Sequence, residues 1–142
     1  EEKAKLMAMA EETHVAQHIH WLGFQSGEPL ADAYRRASVF VLPTREDCFG
    51  LVLLEALCSG TPIVASKYAD GAYDTVHPGE NGLIVDPEDA DALAEAIDSI
   101  LGSEEIQRRY SQNCRQYIPQ FEFGAVMQGY LQAIASVTSG NK

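Results

Sequence analysis

The strongest constraint on the fold of this chain is the segment from Asp47 to Ser66, which reads DCFGLVLLEALCSGTPIVAS. Its first half has the pattern of an almost wholly apolar helix that ends at Gly60, and residues 62–65 have the pattern of a buried strand. Two acids, Asp47 and Glu55, lie within this segment. Because burying a polar group without a partner costs about 2–7 kcal/mol, an acid in such surroundings predicts a ligand or a hydrogen-bond donor beside it.

Short continuous apolar runs alternate with helical patterns along the whole chain. Strands are predicted at 18–22, 39–42, 62–65 and 83–85, and helices at 1–13, 30–37, 50–59, 90–101, 104–117 and 123–137. Apolar strands separated by helices are typical of a parallel sheet covered by helices on both faces, so we expect one α/β, Rossmann-like domain over residues 1–142. Ligands of such sheets bind beyond the carboxyl ends of the strands, and residues 43–50 fall there.

Composition excludes several classes of function. The net charge of −11 and the pI near 4.6 give no electrostatic attraction for nucleic acid or for anionic membranes. The three cysteines show no C-x-x-C spacing, which indicates a reducing, cytoplasmic environment. The longest apolar run, at 51–54, is far shorter than the roughly 20 residues of a membrane span, and no charged leader precedes a cleavable stretch. We therefore expect a soluble protein.

The residues around Gly50 favour an anionic ligand. Gly50 allows the main chain to approach a ligand closely. The N–H groups of Leu51 and Val52 would lie in the first turn of the following helix and would have no acceptor within it. A phosphate group would meet the positive end of the helix dipole at this point. Glu55 lies one turn further along, where its carboxylate could accept from both hydroxyls of a ribose.

Simpler roles are open for the same residue types. Asp47 could be an N-cap or a loop acid, and Glu55 could be a solvated helix residue, although its apolar neighbours argue against that. His18 and His20 alternate on a predicted strand, but the absence of a third ligand nearby in the sequence argues against a metal site. Cys48 lies at a helix start, yet no histidine is arranged to activate it as a nucleophile.

The order acid, any residue, Phe, Gly, Leu, three residues, Glu, Ala resembles the E-x7-E motif of glycosyltransferase family 4, the group 1 glycosyltransferases. The segments WLGF (21–24), ASVFVLPTRED (37–47) and PGENGLIVDPEDADALAEAI (78–97) are similar to successive strand and loop elements of that family. The resemblance covers residues 1 to about 101 well and the terminal helices loosely. It implies the C-terminal, nucleotide-sugar-binding domain of the GT-B fold.

The resemblance implies transfer of a sugar from a nucleotide diphosphate donor, a UDP-sugar or a GDP-sugar, with retention at the anomeric carbon. No cofactor and no essential metal would be needed. The implied partner is an N-terminal acceptor-binding domain, on the same chain or on a partner chain, and a peripheral association with membrane through that domain stays open. The isolated chain is expected to be inactive.

Carried over by position, the two acids of the motif are Asp47, which would contact hydroxyls of the donor sugar, and Glu55, which would bind the ribose. The other matched positions are a turn near the base, a loop whose amides touch the sugar and the diphosphate, and a loop beside the diphosphate: Gly23 and Phe24; Phe49, Gly50 and Leu51; and Thr61. Trp21, Phe24 and Tyr34 are otherwise expected in the core, although Phe24 is placed to touch a base. Asp74 stands where the family usually has Glu.

Two departures from the family pattern bear on function. Asp47 replaces the usual Glu and is one methylene, about 1.5 Å, shorter. Its carboxylate would not reach a sugar hydroxyl as far unless the loop shifts or Glu46 takes its place, so the identity of the sugar stays open. The family's first two strands, with the Gly-Arg segment and the Lys that neutralise the diphosphate, have no counterpart here. In a strand order of 3-2-1-4-5-6 this leaves a gap beside strand 18–22, so we expect an incomplete GT-B C-terminal domain that is part of a longer enzyme.

Two other classes stay open. The chain could be a non-catalytic nucleotide-sugar-binding or assembly subunit of a split glycosyltransferase, which would require a partner chain that carries the acceptor domain. It could also be a GT-B sugar-nucleotide epimerase-like domain, although the spacing of the two acids fits that class poorly.

Overall fold

The computed structural model describes residues 2–139, which form seven α-helices and one small parallel sheet. In chain order the elements are α1 (Glu2–Glu12), α2 (Glu28–Arg36), β1 (Phe40–Leu42), α3 (Leu51–Ser59), β2 (Ile63–Ser66), α4 (Ala72–Thr75), β3 (Gly82–Val85), α5 (Ala90–Leu101), α6 (Glu104–Tyr117) and α7 (Phe123–Ser139). Short 3₁₀ helices occupy Ala16–His18 and Ile118–Phe121. The α/β class expected from the sequence is confirmed.

The three strands pair in the order β1-β2-β3, and both pairs are parallel. Phe40 lies beside Ile63 in the first pair, and Ile63 lies beside Gly82 in the second. Gly82 permits this close approach, because a Cβ at that position would lie 2.1 Å from the main-chain oxygen of Ile63. The carboxyl ends of all three strands therefore meet at one edge of the sheet.

Strand residues alternate between two apolar clusters, one on each face of the sheet. Ile63 and Ala65 pack in a cluster with Leu53, Ala56 and Leu57 of α3, whereas Val64 packs in another with Ala96 and Ile100 of α5. Every residue of β2 is fully buried. Because helices cover both faces, the strands are continuous apolar runs rather than alternating ones.

Local capping explains where the helices begin and end. Asp89 accepts a hydrogen bond from Ala92 N at 3.0 Å, and Ser103 accepts one from Ile106 N at 3.3 Å, so each caps the start of the helix that follows. Gly60 ends α3 in the left-handed conformation, at φ 74°. These signals account for the agreement between the predicted and observed bounds of α5 and α6.

The strand predicted at 18–22 is wrong. His18 ends a 3₁₀ helix, and residues 19–22 have no regular structure. A strand is defined by a paired neighbour, and none of the three described strands lies beside this segment. His18 and His20 are both exposed.

The expectation that three aromatic side chains lie in the core holds for only one of them. Tyr34 is 8% exposed and belongs to the cluster around α3. Trp21 is 38% exposed and Phe24 is 92% exposed. Both lie in the segment for which the described structure provides no neighbouring strand, so little apolar surface is available to cover them.

The terminal helices contribute little to the core. Ala10 is the buried residue of α1, and α7 presents exposed side chains along its described length, including Phe123 and Val137. Among residues 2–139, no helix combines the length and the apolar character that crossing a membrane demands.

Candidate functional site

Glu55 lies on the outer face of α3, which corrects the expectation of a buried acid. The inner face of this helix buries Leu53, Ala56 and Leu57 completely. Glu55 is exposed, and so is Leu51 one turn before it, at 68%. The apolar sequence misled because both faces of α3 carry leucine, whereas only one face meets the sheet. The cost of burial therefore gives no reason for a ligand here, and the case for one depends on the contacts that Glu55 makes.

The carboxylate of Glu55 has one side-chain partner among residues 2–139. The phenol of Tyr34 on α2 donates a hydrogen bond to Glu55 Oε2 at 2.9 Å. The two residues line a cavity of about 330 Å³ between α2 and α3, together with Gly27, Leu30, Ala31 and Ser59. One charged acceptor in a largely apolar cleft is the composition that is typical of a small-molecule site.

The environment of Tyr34 fixes the direction of this hydrogen bond. Burial of the ring, followed by the hydrogen bond to Glu55 and the negative charge of that carboxylate, raises the pKa of the Tyr34 phenol. The phenol therefore keeps its proton throughout the physiological range and acts as the donor. Glu55 is the acceptor and retains lone pairs for a ligand.

Asp47 lies in the loop after β1 and stabilises that loop. Its Oδ1 accepts a hydrogen bond from the main-chain N–H of Phe49 at 3.0 Å, which forms an Asx turn. Its own main chain pairs with the loop after β2, through Tyr68 O at 3.2 Å and Asp70 N at 3.0 Å. Asp47 is half-buried at the carboxyl edge of the sheet, where ligands of such folds bind.

The start of α3 has the geometry expected for an anion site. Gly50 precedes the helix in the left-handed conformation, at φ 69° and ψ 64°, and has no side chain to cap it. The first main-chain hydrogen bond of the helix is donated by Leu53 to Gly50 O, at 2.8 Å. The N–H groups of Leu51 and Val52 precede that bond and point out of the helix start.

The remaining residues of the predicted loops are exposed. Phe49 is 39% exposed beside Asp47. Gly23 has a φ of 66° and open space around it, and Phe24 is 92% exposed, but neither lines the cavity beside Glu55. Asp74 is exposed in α4. Neither residue of the turn predicted to lie near the base reaches this cavity, so their role stays a prediction.

Thr61 also lies apart from the cavity beside Glu55 and from the start of α3. Thr61 follows α3 and precedes β2, so it lies at the amino edge of the sheet. The nine residues of α3 span about 13 Å, which separates Thr61 from the helix start. Its side chain is 2% exposed, and its hydroxyl donates to Tyr34 O at 2.8 Å. Thr61 therefore joins α2 to the core, and the role beside the diphosphate that the resemblance implies for it stays a prediction.

Two cations at the carboxyl edge were not anticipated. Lys67 directly follows β2 and pairs with Asp86 at 2.5 Å, and Arg45 pairs with Glu88 at 3.4 Å. The hydrogen bond from Lys67, together with one from the N–H of Glu88, lowers the pKa of Asp86. Within residues 2–139, no three histidine, cysteine or acidic side chains come together as a group that could hold a metal ion.

Sequence reasoning also missed Tyr34, which was expected only as a core residue. The available signal is its spacing from Leu30, since residues four apart share one face of a helix. Both side chains line the cavity next to Glu55. The direction of the tyrosine hydroxyl could not be read from that spacing, because it depends on how α2 packs against α3.

The comparisons with known proteins agree on one family. Residues 1–117 match the model of the family described as glycosyl transferases group 1. A D-inositol 3-phosphate glycosyltransferase from Corynebacterium glutamicum is 33% identical over 117 residues, which are 82% of this chain and 28% of that protein.

Solved structures share the fold. A sucrose-phosphate synthase from Thermosynechococcus elongatus matches with a TM-score of 0.82 and 33% identity, over 99% of this chain and 35% of that one. Anabaena HepE in complex with UDP matches with a TM-score of 0.81 and 24% identity, over 94% of this chain and 36% of that one. The chain thus spans about a third of the length of these proteins. It has the fold of part of a GT-B enzyme, and it belongs to the group 1 glycosyltransferases.

Proposed function

We propose that this chain supplies the donor-binding half of a retaining glycosyltransferase, which transfers a sugar from a nucleotide diphosphate to an acceptor. The observation that carries the proposal is the cavity beside Glu55, whose carboxylate faces a cleft of about 330 Å³ at the surface of α3. The start of the same helix offers N–H groups at Leu51 and Val52 for which the described part of the chain provides no acceptor. A nucleoside diphosphate carries both groups that such a helix could bind, vicinal hydroxyls and a negatively charged diphosphate.

The role of each residue follows from its chemistry. Glu55 would accept hydrogen bonds from the ribose hydroxyls through the oxygen that Tyr34 leaves open. The N–H groups of Leu51 and Val52 would stabilise negative charge as the diphosphate leaves. Asp47, which already orders its own loop, would orient the donor sugar with its second oxygen. None of these residues serves as a base toward the acceptor. The proposal assigns binding of the acceptor to an N-terminal acceptor-binding domain.

The structural neighbour that contains UDP supports a nucleotide as the ligand class. The proposal includes no cofactor and no metal, with a UDP-sugar or a GDP-sugar as the donor substrate. At the carboxyl edge of the sheet, the two cations Lys67 and Arg45 are each already paired with an acid. Charge stabilisation by this chain would therefore come mainly from the dipole and N–H groups of α3.

The test is calorimetric binding of UDP and GDP to the full-length protein that carries this chain. Glu55→Ala should weaken binding of the preferred nucleotide about tenfold or more, since a hydrogen bond to a charged group contributes about 1.5–3 kcal/mol. The matched control is Glu95→Ala, which removes another exposed helix acid, on α5. Equal affinities in the two variants would refute the ribose assignment.

A further inference from the structure

Tyr34 is unusually well fixed for a residue that touches an exposed carboxylate. Its ring is 8% exposed and packs against Phe40, with ring centroids 5.3 Å apart at a tilt of 59°. Its main-chain oxygen accepts the buried hydroxyl of Thr61 at 2.8 Å. The ring and its backbone are thus held from two sides, so the phenol oxygen has a defined position at the wall of the cavity.

Glu55, in contrast, has little packing of its own. It lies on the exposed face of α3 and has three rotatable side-chain bonds. Without a partner, such a side chain populates several rotamers. A ligand that needs one of these rotamers binds more weakly, because fixing the side chain costs conformational entropy. The hydrogen bond from Tyr34 to Oε2, at 2.9 Å, selects one rotamer in advance and leaves Oε1 without a side-chain partner among the described residues.

We propose that Tyr34 is the positioning residue of the nucleotide site: its phenol holds Glu55 in the rotamer that receives the ribose hydroxyls and thereby sets the preference for ribose over 2′-deoxyribose. This inference rests on the proposed function, since it assigns a second residue to the same site. Tyr34 acts through Glu55 and makes no contact with the reacting atoms.

The polarity of the hydrogen bond makes the arrangement specific. The raised pKa of Tyr34 keeps its phenol protonated, so it always donates to Oε2. An ionised carboxylate can only accept, and the hydroxyl of a ribose must then donate to it. A nucleotide that lacks the 2′-hydroxyl leaves one acceptor position of a fixed carboxylate unpaired, and a fixed carboxylate cannot rotate to recover that hydrogen bond.

The variant Tyr34→Phe removes the phenol oxygen and retains the ring that packs against Phe40. In the full-length protein, we expect the affinity for UDP or GDP, whichever binds, to fall about fivefold to tenfold. Binding of the matching 2′-deoxynucleotide should change less, so the ratio of the two affinities should fall several-fold. The matched control is Tyr110→Phe, which removes the hydroxyl of a tyrosine 5% exposed in the cluster on the other face of the sheet. This variant should leave the ratio unchanged.

The double variant Tyr34→Phe/Glu55→Ala separates positioning from a general loss of structure. If Tyr34 acts through Glu55, its substitution should have no further effect on nucleotide affinity once Glu55 is alanine. Additive losses, or an unchanged affinity ratio in Tyr34→Phe, would overturn the positioning role. Thermal unfolding should show the same midpoint for Tyr34→Phe and Tyr110→Phe within a few degrees, so that a difference in binding does not reflect folding.

The two proposals fail in different ways. If Glu55→Ala weakens nucleotide binding and Tyr34→Phe does not, only the positioning role is wrong. If Glu55→Ala binds like the unsubstituted protein, or if neither UDP nor GDP binds at all, the ribose site itself is wrong and the role of Tyr34 falls with it.

Discussion

Asp47 orders its loop by accepting a hydrogen bond from Phe49 N through Oδ1, and its second oxygen accepts none from the described residues. The variant Asp47→Ala removes the acceptor of that hydrogen bond, and we expect it to lower the free energy of unfolding by about 0.5–1.5 kcal/mol. Asp47→Asn retains an oxygen at the same place and should change the stability by less than about 0.5 kcal/mol. Urea denaturation of both variants measures the difference.

The asparagine variant then isolates the negative charge. If Asp47 orients the donor sugar, Asp47→Asn should bind the nucleotide normally and lose affinity for the nucleotide-sugar, because a neutral amide is a weaker acceptor for sugar hydroxyls. A loss of stability in Asp47→Asn as large as that in Asp47→Ala would contradict the Asx turn as the stabilising contact.

The role of a single residue can be predicted from the sequence where the main-chain conformation at its position requires that residue type. Gly50 was predicted at a helix start where close approach matters, and the structure places it in the left-handed conformation before α3. The burial of Glu55 was predicted wrongly, because which face of a helix packs inward depends on tertiary contacts. The contact between Tyr34 and Glu55 joins residues 21 positions apart, and nothing in the local pattern of either residue specifies it.

At the scale of elements, the loops after β1 and β2 pack directly on each other. Residues Asp47 and Ala69 form a parallel bridge, and Gly71 lies against Phe49 so closely that a Cβ at position 71 would be 1.9 Å from Phe49 O. That neighbour is a main-chain atom and cannot rotate away. Gly71→Ala should therefore separate the two loops and lower the free energy of unfolding by about 2 kcal/mol or more.

The contrasting substitution is Gly129→Ala in α7. A Cβ there meets nothing within 4 Å, and alanine favours a helix over glycine by about 1 kcal/mol. We expect this variant to be neutral or slightly stabilising in the same denaturation experiment. If Gly71→Ala behaved like Gly129→Ala, the two loops would not be in the contact described.

The elements that can be predicted well from the sequence have residues at their ends that mark where they begin or stop. The strands β1, β2 and β3 are apolar runs with a proline, glycine or aspartate at one end at least, and each is predicted within about one residue, which is the usual uncertainty of such bounds. The four-residue helix α4 was missed because it is too short to show a period. The segment 18–22 has the composition of a strand, but pairing with a neighbour is a property of the sheet and not of the segment.

At the scale of the whole molecule, α6 contributes side chains to both apolar clusters. Tyr110 belongs to the cluster that contains Val64, and Cys114, one turn later, belongs to the cluster around α3. Cys114 is fully buried, and its Sγ–H donates to Thr61 O at 3.4 Å. Desolvation raises the pKa of this thiol to about 12. A titration that ionises Cys114 therefore requires the folded domain to open.

The pH dependence of stability should show this. Above the ordinary cysteine pKa of about 8.5, the unfolded chain loses the Cys114 proton and the folded chain retains it. The folded state then binds more protons, so the free energy of unfolding should fall as the pH rises, by up to about 1.4 kcal/mol per pH unit. The phenols of Tyr34 and Tyr117, whose pKa values are also raised, act in the same direction only above the ordinary tyrosine pKa of about 10.

Between pH 8.5 and 10, therefore, the buried thiol should dominate the slope. Urea midpoints measured across this interval should decline in the unsubstituted protein, and Cys114→Ala should flatten the decline even though the variant is less stable at pH 7. Cys58→Ala is the matched control, because Cys58 is exposed on α3 whereas Cys114 is buried. If the slope survived in Cys114→Ala, another group would be titrating and the thiol at the junction of α6 with the core would not be sealed from water.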